Sequence, residues 1–394
     1  MMKKILIIGA SVLQLPAIKK AKELGYYVGV LDYNPKAVGV PLADEFYCVS
    51  TIDVQGVVNV AESFRPNGIM TLATDMPMRS IAAACDHLSL PGITMDTALK
   101  ATDKGEMIKA FQAHDVARPW FYVVEKPSDL EKVVDQITYP CISKPTDNSG
   151  SRGVMLAENE SELKEAVEYS SSQGRRGGVI VEEYLRGQEV SVEIMVVNGV
   201  VHVLQITDKL TTGAPHFVEM GHSQPSRLEE KVLQNVREVA VSAVKAVGID
   251  NGPAHVEIMV TDNGAKMIEL GARMGGDCIT THLVPLSTGI DMVKATMDVC
   301  CGEEPDVEIK LQKGSAIRFI DAPKGVIKDV EGAEDARAVD GVKELSFTKW
   351  IGDTVGEIGS SVDRMGFVIA QADTPEEAVE ICKKAISKIK IMVD

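Results

Sequence analysis

Residues 255–270 read His255-Val256-Glu257-Ile258-Met259-Val260-Thr261-Asp262-Asn263-Gly264-Ala265-Lys266-Met267-Ile268-Glu269-Leu270. Apolar and polar side chains alternate on both sides of Asp262-Asn263-Gly264, the pattern of two half-buried antiparallel strands joined by a tight turn. A three-residue loop from Asp262 to Gly264, with Gly264 in the left-handed conformation, sets Glu257 directly opposite Glu269. Facing carboxylates repel on a strand ladder, whereas a pair of hard oxygen ligands for Mg²⁺ requires them. A two-residue Asn263-Gly264 turn would send the two side chains to opposite faces, so the reading hangs on the loop.

Upstream stands Tyr139-Pro140-Cys141-Ile142-Ser143-Lys144-Pro145-Thr146-Asp147-Asn148-Ser149-Gly150-Ser151-Arg152-Gly153-Val154. A strand delivers Lys144, and the loop that follows exposes N–H groups able to wrap phosphate oxygens while Lys144 neutralises one. Alone, such a loop is more often a surface turn. Neither the G-x-x-x-x-G-K-[ST] phosphate loop nor a kinase catalytic loop occurs. What gives the loop meaning is its sequel, Val179-Ile180-Val181-Glu182-Glu183-Tyr184-Leu185-Arg186-Gly187-Gln188-Glu189-Val190-Ser191.

Further out, the N-terminal hundred residues alternate buried-strand runs (Ile5 to Ile8, Tyr27 to Leu31) with helical periodicity (Leu13 to Leu24), a βαβ beginning and hence a parallel sheet. Asp32 ends the second strand where dinucleotide-binding domains place a ribose ligand, but Gly9-Ala10-Ser11-Val12-Leu13-Gln14 lacks G-x-G-x-x-G. Met1 to Ile18 imitates a signal peptide, yet Gly9 and Ser11 break its apolar run, and it reads as strand and helix. Asp103 and Glu106 form a capping box for a helix to about Ala113. Lys104 then lies in the first turn, where the helix dipole disfavours a cation, although a solvated lysine is the ordinary explanation.

The chain has 394 residues with 45% apolar and 25% charged, a globular composition of two or three domains. Its formal charge of −16 argues against a nucleic-acid or membrane-surface partner, but not against a local basic pocket. The seven cysteines are scattered without C-x-x-C, so neither a disulfide framework nor a zinc site is expected and a cytoplasmic setting fits. No apolar run approaches the roughly 20 residues of a membrane span.

Taken in order, these motifs resemble the ATP-grasp superfamily, and within it the carboxylate-amine ligases, of the amino-acid ligase or biotin carboxylase-like type. The resemblance covers essentially the whole chain. It implies an α/β protein: an N-terminal doubly wound, Rossmann-like pre-ATP-grasp domain (1–102), a central ATP-grasp fold of two α+β subdomains (lid, 103–185; catalytic, 186–308), and a small β-rich C-terminal lobe (309–394). It implies ATP and two Mg²⁺ ions, with Mn²⁺ as an alternative, held by Glu257 and Glu269. Lys104, Lys144, Ser149, Gly150, Ser151, Gly153, Glu182, Glu183, Leu185 and Glu189 then belong to the nucleotide: the loop over the phosphates, backbone near Glu183 and Leu185 at adenine, Glu189 at ribose. Lys144 and Arg273 are the implied catalytic cations. One departure is Glu269-Leu270-Gly271-Ala272-Arg273, where the family commonly has E-x-N-x-R and the asparagine is a metal ligand.

The expected substrates are a small carboxylate and an amine. Lys209, His222, Arg273, Gly275 and Arg318 are candidates to bind them, Arg318 because it alternates with apolar neighbours in Ala316-Ile317-Arg318-Phe319-Ile320. His216, Glu219 and His222 are not H-E-x-x-H and do not read as zinc ligands, and His255 reads equally as a packed core residue. A homodimer is a further implication of the family. Two rivals remain: an ATP-binding protein of this fold without ligase activity, and a dehydrogenase using the first domain.

Overall fold

In the computed structural model, which describes residues 2–148, 150, 152–214 and 217–394, the N-terminal apolar runs form an all-parallel sheet. Its strands are β1 (Lys4–Ile8), β2 (Tyr27–Asp32), β3 (Glu45–Cys48) and β4 (Gly68–Met70), in the order β3-β2-β1-β4. A parallel sheet is covered on both faces, which is why β1 reads Ile5-Leu6-Ile7-Ile8 without alternation. Leu6 and Ile8 pack with Val57, Ala61 and Phe64 of α2 (Val54–Phe64), and Ile5 and Ile7 with Ala17, Ile18 and Ala21 of α1 (Leu15–Glu23). Helices α3 (Met78–Leu88) and α4 (Met95–Thr102) follow β4.

Asp32 does end β2, but its carboxylate accepts from the Ala10 N–H at 2.8 Å and the Asn34 N–H at 2.9 Å. Gly9 has φ +98°, and a Cβ on it would meet the Gln14 side chain at 2.8 Å. Gln14 thus fills the turn that a dinucleotide phosphate would need, and the dehydrogenase reading loses both its ribose ligand and its phosphate site.

The next segment begins with α5 (Lys104–Ala113), capped by the Asp103 carboxylate on the N–H groups of Gly105 and Glu106. The expected capping box is half formed: Glu106 binds Lys109 instead. Strands β5 (Phe121–Val124), β6 (Cys141–Pro145), β7 (Met155–Ala157) and β8 (Val179–Glu183) make an antiparallel sheet in the order β5-β8-β6-β7. Helix α6 (Glu160–Gln173) covers it through Leu163, Ala166 and Val167.

Strands β9 (Gln188–Val197) and β10 (Val200–Thr211) turn at Asn198-Gly199, both with positive φ as an Asn-Gly hairpin demands. With β11 (Glu219–Gln224), β12 (Gly252–Thr261) and β13 (Gly264–Gly271) they form most of an eight-stranded antiparallel sheet. Helix α7 (Glu230–Val247) packs on it, α8 (Val284–Thr288) is short, and α9 (Met292–Cys300) returns to the N-terminal sheet, placing Met292 and Met297 against Ile5 and Ile7. The C-terminal segment adds β14 (Gly314–Ile320), β15 (Gly325–Glu331), β16 (Val342–Phe347), β17 (Thr354–Val355), β18 (Gly366–Ala372) and β19 (Lys390–Val393), with α10 (Ala333–Arg337) and α11 (Pro375–Ile386). It is joined to the eight-stranded sheet, whose order is β13-β12-β9-β10-β11-β14-β18-β16. No helix is long and apolar enough to cross a membrane among the described residues.

Candidate active site

The β12–β13 turn differs from the expected one. Thr261 pairs with Gly264 around a two-residue loop, Asp262-Asn263, with Gly264 at φ +101°. Continued unbroken, that register would set Glu257 opposite Ile268. A β-bulge between Glu257 and Ile258 adds one residue to β13, and beyond it Glu257 faces Glu269. The carboxylates therefore meet for a reason the alternation did not contain. A bulge re-aims the strand that carries it, and here both Ile268 and Glu269 line the same cavity, of about 150 Å³, with Glu257.

Each carboxylate is compensated by a cation. Glu269 lies 2.8 Å from the Lys104 ammonium, so the odd lysine in the first turn of α5 points into the site. Glu257 lies 3.3 Å from Lys209 and 3.2 Å from the His255 ring. Burial favours the neutral acid, but Lys209 and His255 outweigh it and hold Glu257 well below the usual carboxylate range. Burial also opposes charge on His255, yet Glu193, 2.9 Å away, lifts it to about 9. The imidazolium thus donates to Glu193 and to Glu257 and fixes the latter's rotamer. Two carboxylates facing each other on adjacent strands are the donor set a hard divalent ion takes, and the fit is good. Among the described residues no cluster of three His, Cys, Asp or Glu forms a metal site. Mg²⁺ there would complete its shell with water and phosphate oxygens, its usual habit.

Lys209, expected to bind substrate, instead gathers Glu189, Glu257 and Glu219, the last at 3.7 Å. Lys209→Met is expected to leave three neighbouring carboxylates without their cation, costing about 3 to 5 kcal/mol in the metal-free protein. Denaturant unfolding with and without Mg²⁺ checks this, the loss being smaller with the ion.

On the lid side Lys144 is buried and paired with Glu182 at 2.6 Å, the two projecting from neighbouring strands β6 and β8. Glu183 binds Lys266 at 2.7 Å through its side chain. Ile142, Leu185, Met259 and Ile268 supply apolar walls, with Lys104, Gly150, Glu182, Glu183 and Glu189 around them. Burial raises the Glu189 carboxyl pKa, against the pull of Lys209. Gly153 does not line this cavity: at φ +82° a Cβ would strike Gln173 and Pro145 at 2.8 Å, so glycine there lets the loop close on α6. Ser149 and Ser151 lie outside the described residues, as does His216.

Beyond Glu269, Arg273 is gripped by Asp75, from the loop after β4, at 2.9 and 3.2 Å. This pair crowds Gly271: a Cβ there would meet the Asp75 carboxylate at 2.6 Å and Arg273 Nε at 2.9 Å, so the family's asparagine would have to displace the ends of these two side chains. Gly275 passes so close over the His255–Glu193 pair that a Cβ would lie 2.7 Å from the ring. His222 is buried and 3.4 Å from Asp277, which Arg364 binds through both nitrogens at 2.7 and 2.8 Å while lying 3.6 Å over the Phe319 ring.

Arg318 corrects the sequence reading. Along β14, Ile317 and Phe319 face the core with Ile279 and Leu283, whereas Ala316 and Ile320 face α11. Arg318 shares the second face, beside Cys382, with its guanidinium on the carbonyls of His222 and Ile317. It points away from the cavities. Arg364 and Asp75 occupy the positions that sequence missed. Asp75 follows a parallel strand at its C-terminal end, where open α/β sheets place their sites, and was findable on that ground; nothing around Arg364 marks it.

Burial raises the Asp277 carboxyl, but Arg364 and His222 win and hold it below the ordinary range. A depressed carboxylate stabilises the fold above its unfolded pKa of about 3.9 and loses that contribution as pH falls. Asp277→Asn is expected to cost about 2 to 3 kcal/mol between pH 5 and 8, with the gap to the parent chain closing below about pH 4. Tm against pH for both proteins measures it.

A family model described as ATP-grasp domain matches residues 137–281, spanning β6 to β13, and one described as L-amino acid ligase C-terminal domain 2 matches residues 318–394. Residues 137–281 thus form an ATP-grasp domain, and the chain is similar to the carboxylate-amine ligases. Over 278 residues it is 29% identical to the alanine–anticapsin ligase of Bacillus subtilis (strain 168), a match covering 64% of this chain and 58% of that protein. It is 26% identical to the phosphoribosylglycinamide synthetase of Anaerococcus prevotii, with a TM-score of 0.81 and each chain covered at 100%. The L-amino acid ligase of Bacillus licheniformis superposes with a TM-score of 0.87 at 23% identity, covering 100% of this chain and 99% of that one, a likeness of fold. Lys144 of the β5–β8 sheet and Glu257 and Glu269 of the β12–β13 hairpin line the same cavity.

Proposed function

We propose that this protein is an ADP-forming carboxylate-amine ligase that activates a small carboxylic acid, most simply an amino acid, as an acyl phosphate. The observation that carries the proposal is the bulge-enforced pairing of Glu257 with Glu269, flanked by Lys104 and Arg273 and opposite Lys144. A relative named alanine–anticapsin ligase supports an amino acid as substrate.

A carboxylate is a poor electrophile because its leaving group would be oxide. Its oxygen attacks the γ-phosphorus of ATP, forming an O–P bond as the bond to the ADP oxygen breaks. The amine then attacks the acyl carbon, the C–O bond to phosphate breaks, and the amine's proton is lost. Phosphoryl transfer needs neutralisation and alignment more than covalent help. Divalent ions bound at Glu257 and Glu269 would supply Lewis-acid neutralisation of the triphosphate. Lys144 would bind the phosphates from the lid and Lys104 from α5, each exchanging its present carboxylate partner for phosphate oxygen. Arg273, oriented by Asp75, would meet the transferring group. The apolar walls at Leu185, Met259 and Ile268 would hold the adenine, and Glu189 the ribose. Closure of the lid would exclude water, which otherwise hydrolyses the acyl phosphate.

ADP release is measured across a matrix of amino acids and small acids, singly and in pairs, with Mg²⁺ and ATP. Release that requires both an acid and an amine is the expected result. The absence of the asparagine at Gly271 favours the rival, a nucleotide binder without ligase activity, which predicts ATP binding and no ADP from any pair.

A further inference from the structure

A second cavity, of about 260 Å³, lies across the Lys104–Glu269 pair from the nucleotide site and shares both residues with it. It is bounded by Arg79 from α3 of the N-terminal domain and by Arg175 and Arg176 from the lid loop after α6. Five cationic side chains line it, those three with Lys104 and Arg273, against three carboxylates, Asp75, Asp147 and Glu269. All three carboxylates are engaged: Asp75 by Arg273, Glu269 by Lys104, and Asp147 by the backbone N–H groups of Arg175 and Arg176.

The Arg79, Arg175 and Arg176 guanidiniums have no carboxylate partner among the described residues; Arg79 is held to Thr102 and Arg175 touches Met76. Burial and the two neighbouring guanidiniums lower the Arg79 pKa, against the pull of Asp103 and Asp147. In a chain of net charge −16, the five cations and three carboxylates lining this cavity leave it a net charge of +2. Guanidiniums crowded without a counter-charge repel, whereas an oxyanion between them accepts paired hydrogen bonds from each.

We propose that this cavity binds a doubly charged oxyanion, phosphate or dicarboxylate, carried by the second substrate and gripped by Arg79 together with Arg175 and Arg176. The assignment to a substrate rests on the ligase reading above; the anion site itself does not. Because Arg79 belongs to the N-terminal domain and the other two to the lid, the bound anion would also tie the lid down over the phosphoryl-transfer site. The ligase would then favour an acid or amine with a remote anionic group over a neutral one of the same size.

The test is a calorimetric titration of inorganic phosphate, and separately of succinate, into the full chain saturated with Mg²⁺ and a non-hydrolysable ATP analogue, which fills the nucleotide's own phosphate positions. Arg79→Gln and the double change Arg175→Gln with Arg176→Gln are each expected to weaken the preferred anion by tenfold or more, with affinity for the analogue unchanged within twofold. The stronger of the two anions names the group. Arg175 and Arg176 are exposed, so the double variant keeps the test informative if Arg79→Gln unfolds. Anion binding equal in parent and variants, or none in the parent, overturns the proposal. If the analogue itself fails to bind, the ligase reading fails, and the same titrations on the nucleotide-free chain still decide the anion site.

Discussion

Replacing Glu269 by Gln is expected to lower ADP-forming turnover by on the order of a thousandfold, the scale of losing a preorganised electrostatic contact to the transferring group. The change removes one negative charge and little else. Gln keeps the length of the side chain and an oxygen that can accept from Lys104, now 2.8 Å from Glu269. The loss should therefore appear in turnover and in the Mg²⁺ concentration needed for half-maximal rate, with a lower Tm in the metal-free protein because the largely buried Lys104 loses its compensating charge. Glu257→Gln should behave alike in rate but also release Lys209 and His255, which both lean on that carboxylate. A Glu269→Gln protein with unchanged rate and metal requirement would remove the metal from the account.

Replacing Arg273 by Ala is expected to lower turnover by about 10² to 10³, while nucleotide affinity changes little, because the guanidinium lies beyond Glu269 and outside the cavity that would hold adenine and ribose. Asp75→Asn separates position from charge: Arg273 keeps its guanidinium and loses the carboxylate that aims it at 2.9 Å. A decrease of about tenfold is expected from such a positioning change. Pre-steady-state ADP formation checks both, since each should slow the phosphoryl-transfer burst, to different extents, and leave product release alone. Equal effects of the two substitutions would mean that Asp75 does more than orient.

Much of this site was legible in the chain because alternation in strands and Gly-rich loops have local causes. Lys144 could be placed on a strand facing a phosphate loop, and Lys104 flagged, because a cation in a first helical turn is out of place. The facing of Glu257 and Glu269 was reached through a loop of the wrong length, rescued by a bulge at Ile268 that no pattern of side chains announces. Arg318 failed for the complementary reason. Alternation says that a residue faces opposite to its neighbours, and only the packing of Ile317 and Phe319 on one side and α11 on the other says which face is which. Asp75 and Arg364 act across contacts nearly 200 and nearly 90 residues distant in sequence, with Arg273 and Asp277. Such pairings are set by tertiary packing, and only Asp75, by its place after a parallel strand, leaves a local trace. The same holds for the sheet that runs from β13 to β16 through two segments that read as separate lobes.

The central claim is that the acid is phosphorylated before the amine attacks. It is tested most directly by supplying the acid that supports ADP release with its carboxylate oxygens labelled with ¹⁸O, and weighing the phosphate produced. The account predicts one labelled oxygen in each phosphate, carried over when the acyl phosphate breaks. Phosphate without label, formed at the same rate as the joined product, would contradict it.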